Sequence, residues 1–346
     1  MKANSITLCI NIPRQLVEAC CFLSGKSLKI GTASFQHFMK LQRILSLFEV
    51  PYLKFIGVTM KNEKNPIEKY FPVFVLPTLL CFSMFFLIPF VMGPGLSFTK
   101  FTPVTDITGF VGFKNYIRVF TADNEFIHAL GFTSLFTIVS IITVNVFSFA
   151  LALLLTKEIK GTNFFRSVFF MPNLIGGIVL GYIWNLLING VLLHYVGKDI
   201  SFKTHYGFFG LVLLTNWQLI GYMMVIYIAG LQNIPGDLLE AAQIDGASPL
   251  RILFQVKIPM VMPSITICMF LTLSNSFKMF DQNLALTAGA PEKTTEMLAL
   301  NIYQTFYNRN ANWHSVAQAK AVLFFIIVAV LAYIQLKITN KKEIEH

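Results

Sequence analysis

Charged residues punctuate this chain so sparsely that long uncharged stretches dominate it. Between Lys69 and Lys100 lie 30 residues without Asp, Glu, Lys or Arg; Glu125 to Lys157 encloses 31, Arg166 to Lys198 31, Lys203 to Asp237 33 and Lys257 to Lys278 20. The last interval, Lys320 to Lys337, encloses only 16, but Trp313 to Ala319 extends it with small and polar residues. A bilayer core needs about 20 mostly apolar residues per helix, so the first five intervals can each cross and the sixth crosses with its flank. The pattern predicts transmembrane helices at roughly 71–93, 130–156, 166–187, 208–231, 260–280 and 316–337. None of these runs alternates or carries turn residues like a barrel strand. The predicted fold class is therefore all-α, a polytopic membrane bundle of six transmembrane helices.

Composition agrees. Of 346 residues 55% are hydrophobic and 13% charged, with mean hydropathy +0.64, whereas soluble domains carry about a quarter charged residues. A soluble enzyme and a nucleic-acid binder are both excluded as readings, and the lipid bilayer is the first partner implied. The net charge of +10 then reads as an orientation signal. With both termini inside, 18 Lys and Arg fall on the inner side and 7 on the outer, a margin that shrinks to 8 against 7 without the N-terminal tail. A cell-membrane protein with both termini cytoplasmic is the expectation. Cys9, Cys20 and Cys21 lie in the tail and Cys81 and Cys268 in or beside apolar runs, which supports neither a disulfide framework nor a zinc site.

Residues 1–59 differ from the rest. They mix Arg14, Lys26, Lys29, Lys40 and Arg43 with scattered apolar residues, and contain neither a clean span nor a cleavable signal layout. From Met60 a short basic start leads directly into the first apolar run. The expectation is that 1–59 is an atypical extension with Met60 as initiator, and that 60–346 forms the six-helix domain; a real cytosolic or surface-lying segment is the alternative.

Motifs of covalent chemistry are missing. Ser24-Gly25-Lys26-Ser27 resembles the end of a phosphate-binding loop, but Cys20 stands where that pattern needs glycine. The histidines His37, His128, His194, His205, His314 and His346 are scattered. Gly177 and Gly181 share a helix face and read as a close-packing site. Polar residues within apolar runs tend to face a cavity or another helix. Here they are Asn216, Gln218 and Tyr222 on the fourth helix, and Thr272, Asn275 and Ser276 on the fifth, with Lys278 and Asp281 toward its outer end and able to pair with each other.

One hydrophilic loop, 232–259, carries most of the functional information. Asp237 to Ile244 reads as a short amphipathic helix isolated from the fourth span by Pro235-Gly236, with Leu238, Leu239, Ala241 and Ile244 presenting an apolar surface. Gly246 permits a sharp turn. Ser248 can cap a following helix with Pro249 at its first position. The helix is rich in alanine, flanked by Glu240 and Asp245 and poor in lysine, so it suits a protein groove better than an anionic lipid surface.

Glu240-Ala241-Ala242, then Gly246, and the closing Ile258-Pro259 resemble the EAA motif of binding-protein-dependent ABC importer permeases. The string Asn233-Ile234-Pro235 through Asp245-Gly246-Ala247 is similar to the carbohydrate branch, relatives of the maltose and glycerol-phosphate permeases. Phe110 to Tyr116, Asn163 to Arg166 with Pro172, and Leu286 to Pro291 extend the likeness across about 70–340, with Ala290 where this branch often has glycine. The resemblance implies a type I importer permease fold. It puts Glu240, Ala241, Ala242, Asp245, Gly246, Ile258 and Pro259 at the docking site of a cytosolic ATPase. It also implies sugar contacts on the fourth and fifth helices, notably at Tyr222, Thr272 and Ser276, and with the neighbouring polar residues Gln218 and Asn275 these form the candidate substrate pathway; ordinary helix–helix hydrogen bonding is the alternative for each. The implied partners are a second homologous permease, two ATPase subunits and an extracytoplasmic solute-binding protein. ATP and magnesium belong to the ATPase, and no cofactor is expected on this chain.

The rival reading is an ATPase-independent secondary transporter or channel. Such proteins commonly show inverted repeats or buried ion-coupling carboxylates, and no acidic residue is expected deep in any proposed span. A membrane enzyme would need a metal or nucleophile constellation that the sequence does not display.

Overall fold

A computed structural model of the chain describes residues 71–101, 109–157 and 160–340. The extension 1–59 and the question of Met60 lie outside the described residues. In chain order, α1 (Phe71–Phe82) runs through a π turn at Ser83–Leu87 into α2 (Ile88–Ser97). The short α3 (Lys114–Thr121) precedes the long α4 (Asn124–Leu155). Next come α5 (Thr162–Phe170), a 3-10 turn at Met171–Leu174, α6 (Gly177–Val196) and α7 (Thr204–Gln232). The hydrophilic loop holds α8 (Gly236–Ile244), α9 (Pro249–Ile252) and α10 (Ile258–Met260). The chain then returns through α11 (Met262–Phe277), α12 (Asp281–Leu286), α13 (Leu298–Tyr307) and α14 (His314–Asn340).

Among the described residues, five segments are long and apolar enough to cross a bilayer: Val75–Ser97, Asn124–Leu155, Gly177–Val196, Thr204–Gln232 and Ala311–Thr339. The remaining predicted span, the fifth at 260–280, is a pair, Pro249–Met260 and Met262–Phe277, bent by 71° at Val261. The third span is displaced from its predicted 166–187. Residues 166–174 lie in α5 and the following turn, and the crossing helix starts at Gly177. The break has a local cause. Pro172 offers no backbone N–H, and Ile175 and Gly176 are extended, so no i to i−4 ladder bridges them. Because the uncharged interval runs unbroken across this break, charge spacing could not reveal it.

The bundle is built around α7, whose most apolar stretch is 61% buried, against 0% for the first and last spans. At its hydrophilic-loop end Met223, Met224, Tyr227 and Ile228 pack with Val144 and Ala152 of α4 and Cys268 of α11. Toward its other end Leu211 and Leu214 pack with Phe136, Leu180 and Leu286. The uncovered apolar surface of the outer spans suits lipid rather than water.

Three glycine contacts set the spacing. A Cβ at Gly181 would meet Ala285 Cβ at 2.6 Å and one at Gly177 would meet Asp281 Cβ at 2.7 Å, so the expected packing face of α6 is real and its partner is α12. Gly221 is tighter still, since a Cβ there would lie 1.8 Å from the Phe169 carbonyl oxygen and 2.3 Å from its carbon. Backbone against backbone leaves nothing to rotate away. Gly221→Ala is therefore expected to separate α5 from α7 and to cost about 1–3 kcal/mol of overpacking, read as a lower thermal midpoint and a poorer monodisperse yield. Gly190→Ala, with no heavy atom within 4 Å of the added carbon, should leave both unchanged.

Candidate functional site

Pro235, in extended conformation, ends the run of α7 and leads directly into α8. Gly246 has φ +74°. Its N–H donates to the Gln243 carbonyl at 3.0 Å and that of Ala247 to the Ala242 carbonyl at 3.0 Å, the paired closure of a Schellman motif. That motif requires a left-handed residue at this position, which explains the glycine. The expected cap also forms, with Ser248 Oγ accepting the Arg251 N–H at 3.3 Å and Pro249 opening α9. Glu240, Ala241, Asp245 and Gly246 are exposed, Ala242 is half-buried, and Ile258 and Pro259 are half-buried in α10. Leu238 and Ile244 stand out into solvent, Ile244 at 85% exposure. Leu239 corrects the expectation. It packs against the core around α7 rather than joining the exposed surface, because α8 hangs too close to the bundle to expose both leucines.

A second set of polar groups lies halfway along α7. Gln282 Nε2 donates to Gln218 Oε1 at 2.9 Å, tying α12 to the middle of α7. Tyr222, half-buried, lies beside Phe170 with ring centroids 6.4 Å apart. Thr272 is buried, donates to the Cys268 carbonyl at 2.7 Å and accepts from Asn145 Nδ2 at 3.3 Å. Asn145 Oδ1 in turn accepts the Tyr227 hydroxyl at 2.7 Å, so α4, α7 and α11 share one polar network. Ser276 is buried with no hydrogen-bond partner for its Oγ among the described residues, and Asn275 is exposed. Gln218 and Thr272 thus make interhelix bonds, while Tyr222 and Asn275 keep exposed surface.

Asn145, Tyr227 and Gln282 escaped the sequence reading. Asn145 carried a usable signal, a lone amide deep in a 31-residue uncharged interval. Two further corrections concern the end of the fifth span. No ion pair joins Lys278 to Asp281 among the described residues. Asp281 packs on Gly177 next to Gln282, level with the middle of α7 rather than at an outer end, because the helix breaks after Phe277 and the chain turns there.

The end of the bundle opposite α8 holds a charge cluster that the sequence reading also missed. Lys320, which bounds the last uncharged interval, is fully buried. Its Nζ meets Asp123 Oδ2 at 2.6 Å, Asn301 Oδ1 at 2.7 Å and Thr305 Oγ1 at 2.6 Å, which uses all three ammonium protons. Arg309 pairs with Asp123 at 3.0 Å and with Glu125, and Lys293 reaches Glu125 at 3.0 Å. These bonds hold α13 to the starts of α4 and α14. Beside them, Glu296 is buried, and burial pushes its carboxyl above the usual carboxylate range despite the Asn301 amide at 3.3 Å.

A broken-helix bundle with a short surface helix hung from its central span is the form of a multi-pass membrane transport subunit. Residues 132–343 match the family described as binding-protein-dependent transport system inner membrane component, and the chain belongs to that family. It is 44% identical over 293 residues to the probable starch degradation products transport system permease protein AmyD of Thermoanaerobacterium thermosulfurigenes, covering 82% of this chain and 98% of that one. It is 31% identical over 291 residues to the multiple sugar-binding transport system permease protein MsmF of Streptococcus mutans, covering 81% and 99%. In fold it is similar to a chain from the crystal structure of a bacterial ABC transporter involved in alginate import. There the TM-score is 0.66 at 18% identity over 80% of this chain and 97% of that one.

Two measurements check the charge cluster. Lys320→Met leaves the buried Asp123 short of a cation and is expected to cost about 3–5 kcal/mol, seen as a lower thermal midpoint. Adding Asp123→Asn should restore part of it. For Glu296 the raised folded value means that the folded chain holds the proton more tightly than the unfolded one. Its stabilisation is complete below the unfolded carboxyl range, about pH 4, and is lost as pH rises through the raised value. Glu296→Gln should therefore flatten the fall in thermal midpoint with rising pH.

Proposed function

We propose that this chain is one of two paired permease subunits of an ATP-driven importer for sugars or oligosaccharides. On this reading it lies in the cell membrane with both termini cytoplasmic. It works with a second, homologous permease, two cytosolic ATPase subunits and an extracytoplasmic binding protein. ATP and magnesium act on the ATPase, and this chain needs no cofactor of its own. Family membership supports the binding-protein-dependent import, and the names of AmyD and MsmF support the carbohydrate cargo.

The observation that carries the reading is α8 itself. An exposed helix with Leu238, Ile244 and Glu240 on its surface, clamped between Pro235 and the Gly246 turn, is a rigid knob on the end of α7. A protein groove would cover the apolar side chains and pair Glu240. An ATPase closing on that knob would move α7, and with it Gln218, Tyr222 and the α12 contact. That switches access to the middle of the bundle from one side to the other. Gln218, Tyr222, Thr272, Asn275 and Ser276 are the proposed cargo-facing groups, amides and hydroxyls beside aromatic rings, which suit sugar hydroxyls and C–H faces. All chemistry on ATP occurs elsewhere.

Glu240→Lys and Gly246→Asp test the docking. Gly246 has open space around it, and an aspartate in the left-handed conformation costs roughly 1–2 kcal/mol, so the variant should still be made and inserted. Both substitutions are expected to release the ATPase on co-purification and to lower sugar uptake by at least about tenfold, equivalent to 1.4 kcal/mol of lost docking. Normal uptake with the ATPase retained in both would overturn the assignment.

A further inference from the structure

The eight residues of α3 (Lys114–Thr121), with the Phe113 that precedes them, present three different faces. One is bound to the protein. Asn115 Nδ2 donates to the Ser97 carbonyl at 2.8 Å and the Thr99 carbonyl at 3.0 Å, and the Tyr116 hydroxyl shares a 2.6 Å bond with Ser97 Oγ. Val119 is fully buried with Phe126, Leu298 and Val316. The second face is apolar and uncovered. Phe113, Ile117 and Phe120 recur at i, i+4 and i+7 and are 69%, 58% and 51% exposed, with Phe110 beside them at 79%. The third is basic. Lys114 and Arg118 are exposed, lie about 100° and 140° round the helix from Phe113, and have no acidic residue between 110 and 122 to oppose them.

Position decides what covers the apolar face. Ser97 is the last residue of the first crossing segment, and α4 crosses back from Asn124. α3 is fastened to the former and buried against the start of the latter, so it lies where two spans leave the bilayer. Its apolar face begins at Phe113, which packs edge-on against Phe98 at the end of the first span with ring centroids 5.3 Å apart. Arg118 also lies 5.2 Å from the ring centre of Trp313, at the start of the last span, and such aromatic–cation pairs favour the headgroup level.

We infer that α3 is an interfacial anchor lying flat in the leaflet opposite the α8 side. Phe113, Ile117 and Phe120 enter the boundary between headgroups and acyl chains, and Lys114 and Arg118 lie against anionic phospholipid headgroups. The anchor fixes the depth at which the first span ends. This assignment needs only that the chain spans a membrane and does not depend on the cargo or the ATPase.

The test uses the full chain with its own cysteines replaced, carrying an environment-sensitive fluorophore on Ile117→Cys or, for comparison, on Ala122→Cys, which is exposed on the far side of α3 from Phe113. Reconstituted into nanodiscs with its co-expressed partners, the Ile117 label should show blue-shifted emission. It should lose intensity to lipids spin-labelled near the headgroup and resist aqueous iodide, while the Ala122 label should be quenched by iodide. Replacing phosphatidylglycerol by phosphatidylcholine should reduce lipid quenching at position 117, and K114Q/R118Q should abolish that dependence. Quenching of the Ile117 label by iodide would show a face open to water, and protection from both quenchers would show a face covered by protein; either overturns the proposal. Lipid quenching indifferent to headgroup charge in the unaltered basic pair would overturn the contact with anionic headgroups.

Discussion

The close approach of the α5 backbone to Gly221, halfway along α7, is the constraint on which the bundle depends. Two segments that would otherwise be plain spans are broken, one at Pro172 to Gly176 and one after Phe277, and both breaks are held against the central third of α7. Irregular backbone is tolerated at membrane depth only where protein or a cavity satisfies it. Here the Phe169 carbonyl approaches a residue with no side chain, and Gln218 accepts the Gln282 amide. α7 itself is continuous for 29 residues and ends directly on the helix proposed to meet the ATPase. Displacement of α8 therefore reaches the polar centre of the bundle along one unbroken rod.

The two ends of the bundle are built for opposite purposes. At the α8 end, apolar side chains stand in solvent and the turns are closed by a left-handed glycine and a serine cap, which makes a rigid but uncovered projection. At the other end, Lys320 and Asp123 are buried in a saturated network that binds α13 to α4 and α14. Buried ion pairs add little net stability over apolar packing but fix a particular arrangement. On the proposed function, a fixed far end gives a lever acting through α7 something to work against.

How much of this was legible in the sequence follows from what each feature depends on. The spans could be read because hydrocarbon excludes charge, which leaves a one-dimensional trace. The loop could be read because Pro235, Gly246 and Ser248-Pro249 are local stereochemical signals, and all three act as expected. The helix break at 175–176 was hidden because uncharged residues continue through it, and the predicted fifth span overran the end of α11 at Phe277 because Met279 and Phe280 are as apolar as the helix before them. Leu239 was assigned to the wrong face because its burial depends on how closely α8 hangs beneath the bundle. The Lys320 cluster unites residues from 123 to 320, and no local pattern announces a pairing across nearly 200 positions. Among the candidate cargo residues, sequence named Gln218 and Thr272 but not their hydrogen-bond partners Gln282 and Asn145.

The account rests on work entering this chain from outside through α8. Sugar uptake into proteoliposomes holding the paired permeases and the binding protein, with and without the ATPase and ATP, measures that most directly. Accumulation that requires both ATPase and ATP and stops when either is withdrawn is the predicted result. Uptake at an undiminished rate with no ATPase present would contradict it.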